Sequence, residues 1–132
     1  MAAFESVEEA ASAVAGIIAA GIIPAGLEMM DTPAIIAAED FVQAGYPRDA
    51  AAILLCELDG TQPEVDAEMT AVSALLFASG ACSVNIARDE SERERFWSGR
   101  KNAFPAIGRI SPDYYCIAVS YTHLTLPTIC SV

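Results

Sequence analysis

The chain has 132 residues, enough for one ordinary domain. Its hydrophobic fraction of 54% is rich in alanine, which favours helix but buries little area, so the core is thinner than the percentage suggests. A net charge of −11 with only seven basic residues excludes an ordinary nucleic-acid binder, because phosphate contacts need clustered Lys and Arg.

Met1–Phe4 reads as the end of a strand whose beginning is missing. Ser6 then caps a helix with Glu8 and Glu9 in its first turn, where the helix dipole favours carboxylates. Val7, Ala10, Ala11, Val14, Ile17 and Ile18 make its apolar stripe, and Gly21 stops it. Ala25–Met30 is a short strand. Asp31-Thr32-Pro33 opens a second helix that runs to about Ala44 and ends at Gly45. Tyr46-Pro47 is a connector, Ala51–Leu58 a buried strand, and Asp59-Gly60 its turn.

Pro63–Ala78 is a third helix, closed by Gly80. Cys82–Ala87 alternates as a strand, with Cys82, Val84 and Ile86 on one face. A fourth helix begins near Asp89 and carries Arg93, Arg95, Arg100 and Lys101; the plain reading of that cluster is a solvated face of mixed charge. Phe104–Arg109 is irregular and Tyr114–Ala118 a further strand.

With the Thr32–Ala44 helix set aside as an insertion, the order is β-α-β-β-α-β. The expected fold class is therefore α+β: a ferredoxin-like antiparallel sheet with helices packed on one face, truncated at both ends. A parallel doubly wound sheet fits the same alternation, but the strands are short and no Gly-rich phosphate loop follows the first.

The longest apolar run, Ala13–Leu27, contains Gly16, Gly21 and Pro24 and is shorter than the roughly 20 residues of a membrane span. No basic signal-peptide region stands at the N-terminus, so the expected location is cytoplasmic, peripheral at most to an inner membrane within a larger complex. Cys56, Cys82, Cys116 and Cys130 form no CxxC pair, and no metal site is expected. Cys56 sits in an apolar run and reads as a buried free thiol behaving as a small hydrophobe.

Residues 119–132 differ in character from the acidic body. Val119–Thr128 is similar to one reading frame of a transposase adapter used in sequencing-library preparation, and 119–132 is read as a non-native tail after a partial domain at 1–118. A real polar strand is the alternative. The tail holds His123, the chain's single histidine, so a general-base or metal role for it falls with the tail.

Seven segments then carry a resemblance. In order, they are Phe4–Ala10, Pro24–Asp31, Ala44–Pro47, Leu55–Gly60, Ala87–Glu90, Trp97–Pro105 and Ser111–Tyr115. Together they resemble the C-terminal domain of FAD-linked oxidases, the family of glycolate oxidase FAD-binding subunits and D-lactate dehydrogenases, over residues 1–117. The resemblance implies a substrate-side domain of an enzyme that oxidises a small 2-hydroxy acid, glycolate or D-lactate, to the 2-oxo acid with hydride transfer to FAD. It implies that FAD is bound mainly by an N-terminal domain outside this chain, that electrons pass to other oxidase subunits or a membrane acceptor, and that the fragment alone is inactive. No nucleic acid and no transmembrane segment are implied.

The resemblance also implies site residues. Arg100 matches a Trp-x-x-Arg motif whose arginine binds the substrate carboxylate, a task suited to a planar, always-charged, bidentate donor. Its plain alternative is an arginine paired with Glu90, Glu94 or Asp113. Tyr115 is the second substrate-binding candidate, as a hydrogen-bond donor, against the commoner fate of a core aromatic. Trp97 and Phe104 are expected to pack, Lys101 to be solvated, and Asp31 to cap its helix rather than form an acid/base pair with Glu28. No residue is given the role of catalytic base, because the family's later histidine and acidic motifs would lie beyond Ala118. A free-standing ferredoxin-like ligand-binding or regulatory module is the competing reading.

Overall fold

The computed structural model describes residues 1–110, 117–120 and 128–131, with side chains through Ile107 apart from Phe104. In chain order the elements are β1 (Ala2–Phe4), α1 (Val7–Ala19), β2 (Gly26–Asp31), α2 (Thr32–Val42), β3 (Ala52–Glu57), α3 (Gln62–Ala78), β4 (Ser83–Val84), α4 (Glu90–Lys101) and α5 (Ala103–Ile110). They are followed by β5 (Ile117–Ser120) and β6 (Thr128–Ser131), which pair antiparallel with each other.

The helix starts follow the local chemistry. Ser6 Oγ accepts from the Glu9 amide at 3.1 Å, Asp31 Oδ1 from Ala34 at 3.2 Å, and Asp89 Oδ1 from Glu92 at 2.8 Å. Each cap satisfies an amide that the first turn would otherwise leave bare. At the start of α3 the Thr61 amide donates to Glu64 at 2.9 Å, the returning half of a capping box.

The main sheet has the order β2-β3-β1-β4, and every pairing in it is antiparallel. That is the order of a split β-α-β-β-α-β fold with α1 and α3 as its two helices, so the parallel alternative is excluded. One face of the sheet presents Ala2, Phe4, Leu27, Ala52 and Leu54 to Ala10, Ala13 and Ile17 of α1 and to Val72 and Leu76 of α3. Period-two alternation puts Ala3, Met30, Ile53 and Leu55 on the other face. There they meet Ile35 and Ala38 of α2, Phe96 of α4 and Ala103 of α5.

Four details differ from the sequence reading. The second face is covered by helices too, because α2, the expected insertion, returns across it with α4 and α5. α2 ends at Val42, where Gln43 turns into the left-handed region with φ 52°, rather than continuing to Ala44. Phe104–Arg109 is helical: Pro105 falls in the first turn of α5, where a missing amide proton costs nothing. β4 is confined to Ser83–Val84 because its partner β1 offers only Ala2 and Ala3 opposite it. Of the expected strand Tyr114–Ala118, only 117 and 118 lie within the described residues, in β5.

Candidate functional site

Three positions of α4, Trp97, Gly99 and Arg100, fix this helix on the second face of the sheet. Trp97 lies against β2 at Gly26, where a methyl group would stand 3.1 Å from Trp97 Cη2. At Gly99 an added Cβ would collide with the ring of Tyr46. Tyr46 comes from the α2–β3 connector, is buried, and donates its hydroxyl proton to the Phe96 carbonyl oxygen. Its own amide donates to Glu39 Oε1 at 2.8 Å. Burial pushes the Tyr46 hydroxyl up to about 12, so it stays protonated and remains a donor.

These contacts place Arg100, in the last turn of α4, above β2, where its guanidinium forms an ion pair with Glu28. The two side chains are only 21% and 15% exposed, so the pair is mostly withdrawn from water. A cation at a helix C-terminus is also favoured by the helix dipole. Glu28 is not among the three carboxylates expected from sequence, of which Asp113 lies outside the described residues. Glu90 pairs instead with Arg93, which also reaches Glu57 of β3 at 2.9 Å. A guanidinium carries five donors in a planar fork, so Arg100 can be oriented by Glu28 and engage an incoming carboxylate as well.

The other candidates are distributed differently. Lys101 is exposed, as a solvated lysine should be. Asp31 caps α2 and takes no part beside Glu28. Tyr115 and Asp113 lie outside the described residues. Sequence reading missed Glu28 and Tyr46 as partners of the Trp97–Arg100 segment. The available signal was that both belong to segments of the same resemblance, Pro24–Asp31 and Ala44–Pro47.

A cleft of about 170 Å³ lies elsewhere, between α3 and α4, and is lined by Cys56, Leu58, Val72, Ile86, Arg93 and Trp97 among others, but not by Arg100. Burial pushes the Cys56 thiol up to about 11. Among the described residues no group of three or more His, Cys, Asp or Glu could hold a metal ion, and no helix is long and apolar enough to cross a membrane.

A scan of family models matches residues 1–132 to the FAD linked oxidases, C-terminal domain. The chain belongs to that family. The glycolate oxidase subunit GlcD of Escherichia coli (strain K12) is 58% identical over 129 residues, which is 98% of this chain and 26% of the relative. The glycolate oxidase subunit GlcD of Bacillus subtilis (strain 168) is 38% identical over 112 residues, 85% of this chain and 24% of the relative. This FAD-linked oxidase domain thus spans about a quarter of the length of the curated relatives it matches.

That cleft does not fit FAD by itself. The cleft of about 170 Å³ is below the roughly 300–1,000 Å³ of ordinary ligand pockets. The arginines Arg48, Arg88, Arg93, Arg95 and Arg100 each face a carboxylate of the chain rather than converging on a pyrophosphate-sized cradle.

Proposed function

We propose that this chain is the substrate-side part of an FAD-dependent 2-hydroxyacid oxidoreductase, and that Arg100 binds the substrate carboxylate. The observation that carries this reading is the half-buried Arg100, held by Glu28 and fixed by Trp97 on Gly26 and Gly99 on Tyr46. Binding a small hydroxy acid needs one pre-oriented cation in a partly dry setting, where a carboxylate–guanidinium contact is stronger than in water. Glu28 keeps the fork in one orientation, which lowers the ordering cost of binding.

The substrate class is a small 2-hydroxy acid, glycolate or D-lactate, oxidised to the 2-oxo acid. FAD is held chiefly by another domain of a longer protein, and electrons leave through other oxidase subunits. Two relatives are glycolate oxidase subunits, which favours glycolate. Tyr115 is proposed as a second substrate contact, donating a hydrogen bond. The site belongs to a cytoplasmic protein, at most peripheral to a membrane.

The test is a graft. Residues 1–118 of this chain replace the matching stretch of the E. coli glycolate oxidase subunit, with flavin absorbance as the check on folding. Retained glycolate oxidation in a flavin-loaded graft supports the assignment. A graft that carries flavin at full occupancy but does not turn over glycolate or D-lactate overturns it. The 132-residue chain alone should bind no FAD and oxidise neither acid.

A further inference from the structure

α4 meets the sheet along one stripe. Arg93, Trp97 and Arg100 stand at i, i+4 and i+7, which share a helix face. Their counterparts are Glu57 of β3, Gly26 of β2 and Glu28 of β2. Gly26 pairs directly with Glu57, and alternation puts Glu28 and Glu57 on the sheet face that carries Met30 and Leu55. Glu28 and Glu57 are therefore about 8 Å apart at the backbone, roughly 5 Å across the strands and roughly 7 Å along them. The rise from Arg93 to Arg100 is about 10 Å. The helix thus follows the diagonal between the two carboxylates, with an ion pair at each end and Trp97 on Gly26 between them.

The Arg93 fork is engaged on both sides. Its Nη1 donates to Glu57 Oε2 at 2.9 Å, its Nε donates to Glu90 Oε2 at 2.9 Å, and its Nη2 meets the other oxygen of Glu90. Glu90 lies one turn earlier on α4 and orients the guanidinium, whereas Glu57 ties it to the sheet. Arg88 and Arg95 both pair with Glu92 of α4 itself, contacts that do not reach the sheet. The Glu57 backbone is also fixed, because its carbonyl accepts from the Ala25 amide at 2.8 Å. We propose that Arg93 and Glu57 are positioning residues for the carboxylate site: they stop α4 rocking on the Trp97–Gly26 contact and so set where the Arg100 guanidinium stands over Glu28. This inference rests on the assignment of Arg100 to the substrate carboxylate.

Stability alone does not account for the pair. Arg93 and Glu57 are 41% and 33% exposed, a setting in which an ion pair adds little to folding. Orientation is a different matter, because a binding group misplaced by about 1 Å can cost on the order of 100-fold in rate. Removing the Arg93 tether leaves α4 seated on Trp97 and lets its two ends tilt in opposite directions. Arg100, at the far end of the stripe, then samples a wider range of positions, and substrate binding weakens.

The experiment measures glycolate kinetics of the flavin-loaded graft with Arg93→Met and with Glu57→Gln, each alone and combined with Arg100→Met. Arg93→Met should raise KM about 10-fold and change kcat less, the pattern of weakened binding. Glu57→Gln should raise KM as well, although it changes the net charge in the opposite direction. In the Arg100→Met background both substitutions should alter kcat/KM less than about 2-fold, because the residue they act through is gone. Glu57→Gln keeps the side-chain shape and carries the test if Arg93→Met fails to load flavin. An unchanged KM, opposite KM shifts in the two variants, or losses that persist in the Arg100→Met background overturn the positioning role and leave the Arg100 assignment standing. Parent kinetics in Arg100→Met alone overturn that assignment, and this inference with it.

Discussion

Arg100 on α4 and Glu28 on β2 form an ion pair across the second face of the sheet, with both side chains mostly shielded from solvent. Removal of either partner leaves a charge in a setting that cannot fully hydrate it. Glu28→Gln and Arg100→Met should each destabilise by about 1–3 kcal/mol, between the costs for exposed and fully buried pairs. The double variant should lose less than the sum, measured by urea unfolding in a double-mutant cycle. Additive losses would show that the two residues are not coupled.

Gly99 is set by the Tyr46 ring rather than by its own backbone angles. Gly99→Ala should destabilise by about 1–3 kcal/mol through overpacking, although alanine is the better helix former. Tyr46→Phe should cost about 1 kcal/mol for the lost bond to the Phe96 carbonyl. Introducing Gly99→Ala into a Tyr46→Ala background should cost less than introducing it into the parent chain, and unchanged stability of Gly99→Ala alone would refute the packing account.

Those two relationships mark what sequence could and could not reveal. Caps, periodicity and turns exposed the β-α-β-β-α-β order, since Ser6, Asp31 and Asp89 act on amides three residues away. The segment Trp97–Arg100 was visible as a motif, but its partners were not. Glu28 and Tyr46 are distant in sequence, and only the crossing of α4 over β2 brings them close. β4 was read too long for the same reason: alternation shows which face a strand would bury, whereas its paired length depends on the three residues of β1. Phe104–Arg109 was read as irregular, whereas Pro105 stands in the first turn of α5, where a missing amide proton is tolerated.

The cysteines should differ in reactivity. Cys82 is exposed, whereas Cys56 is largely covered and its thiol is pushed up to about 11, mainly by burial and then by Glu68 and Glu57. Thiolate is the reacting form, so iodoacetamide near pH 8 should label Cys82 well before Cys56, read by peptide mass mapping. Faster labelling at Cys56 would contradict the packed α3–β3 interface.

The Met1 ammonium gives a pH signature. Its folded pKa lies below the ordinary 8.0 because burial disfavours the charged form. The unfolded chain therefore binds more protons in the window just below 8.0, and stability should rise with pH across it. N-terminal acetylation should abolish that rise in urea titrations, and persistence of the rise after acetylation would assign it elsewhere.

Residues 119–132 are proposed as a foreign tail, although the family match extends across them. Independent nucleotide reads should diverge from this sequence near the Val119 codon. Reads that reproduce the same codons and stop after Val132 would refute the proposal.

The central claim is that Arg100 receives the substrate carboxylate, and glycolate kinetics of the flavin-loaded graft test it most directly. Arg100→Met should lower kcat/KM at least about 100-fold, the loss of a charge-assisted bidentate contact, while flavin absorbance stays unchanged. Arg100→Lys should restore only part of it, because an ammonium cannot reproduce the planar fork. An Arg100→Met graft with the parent's kcat/KM and intact flavin would contradict the assignment.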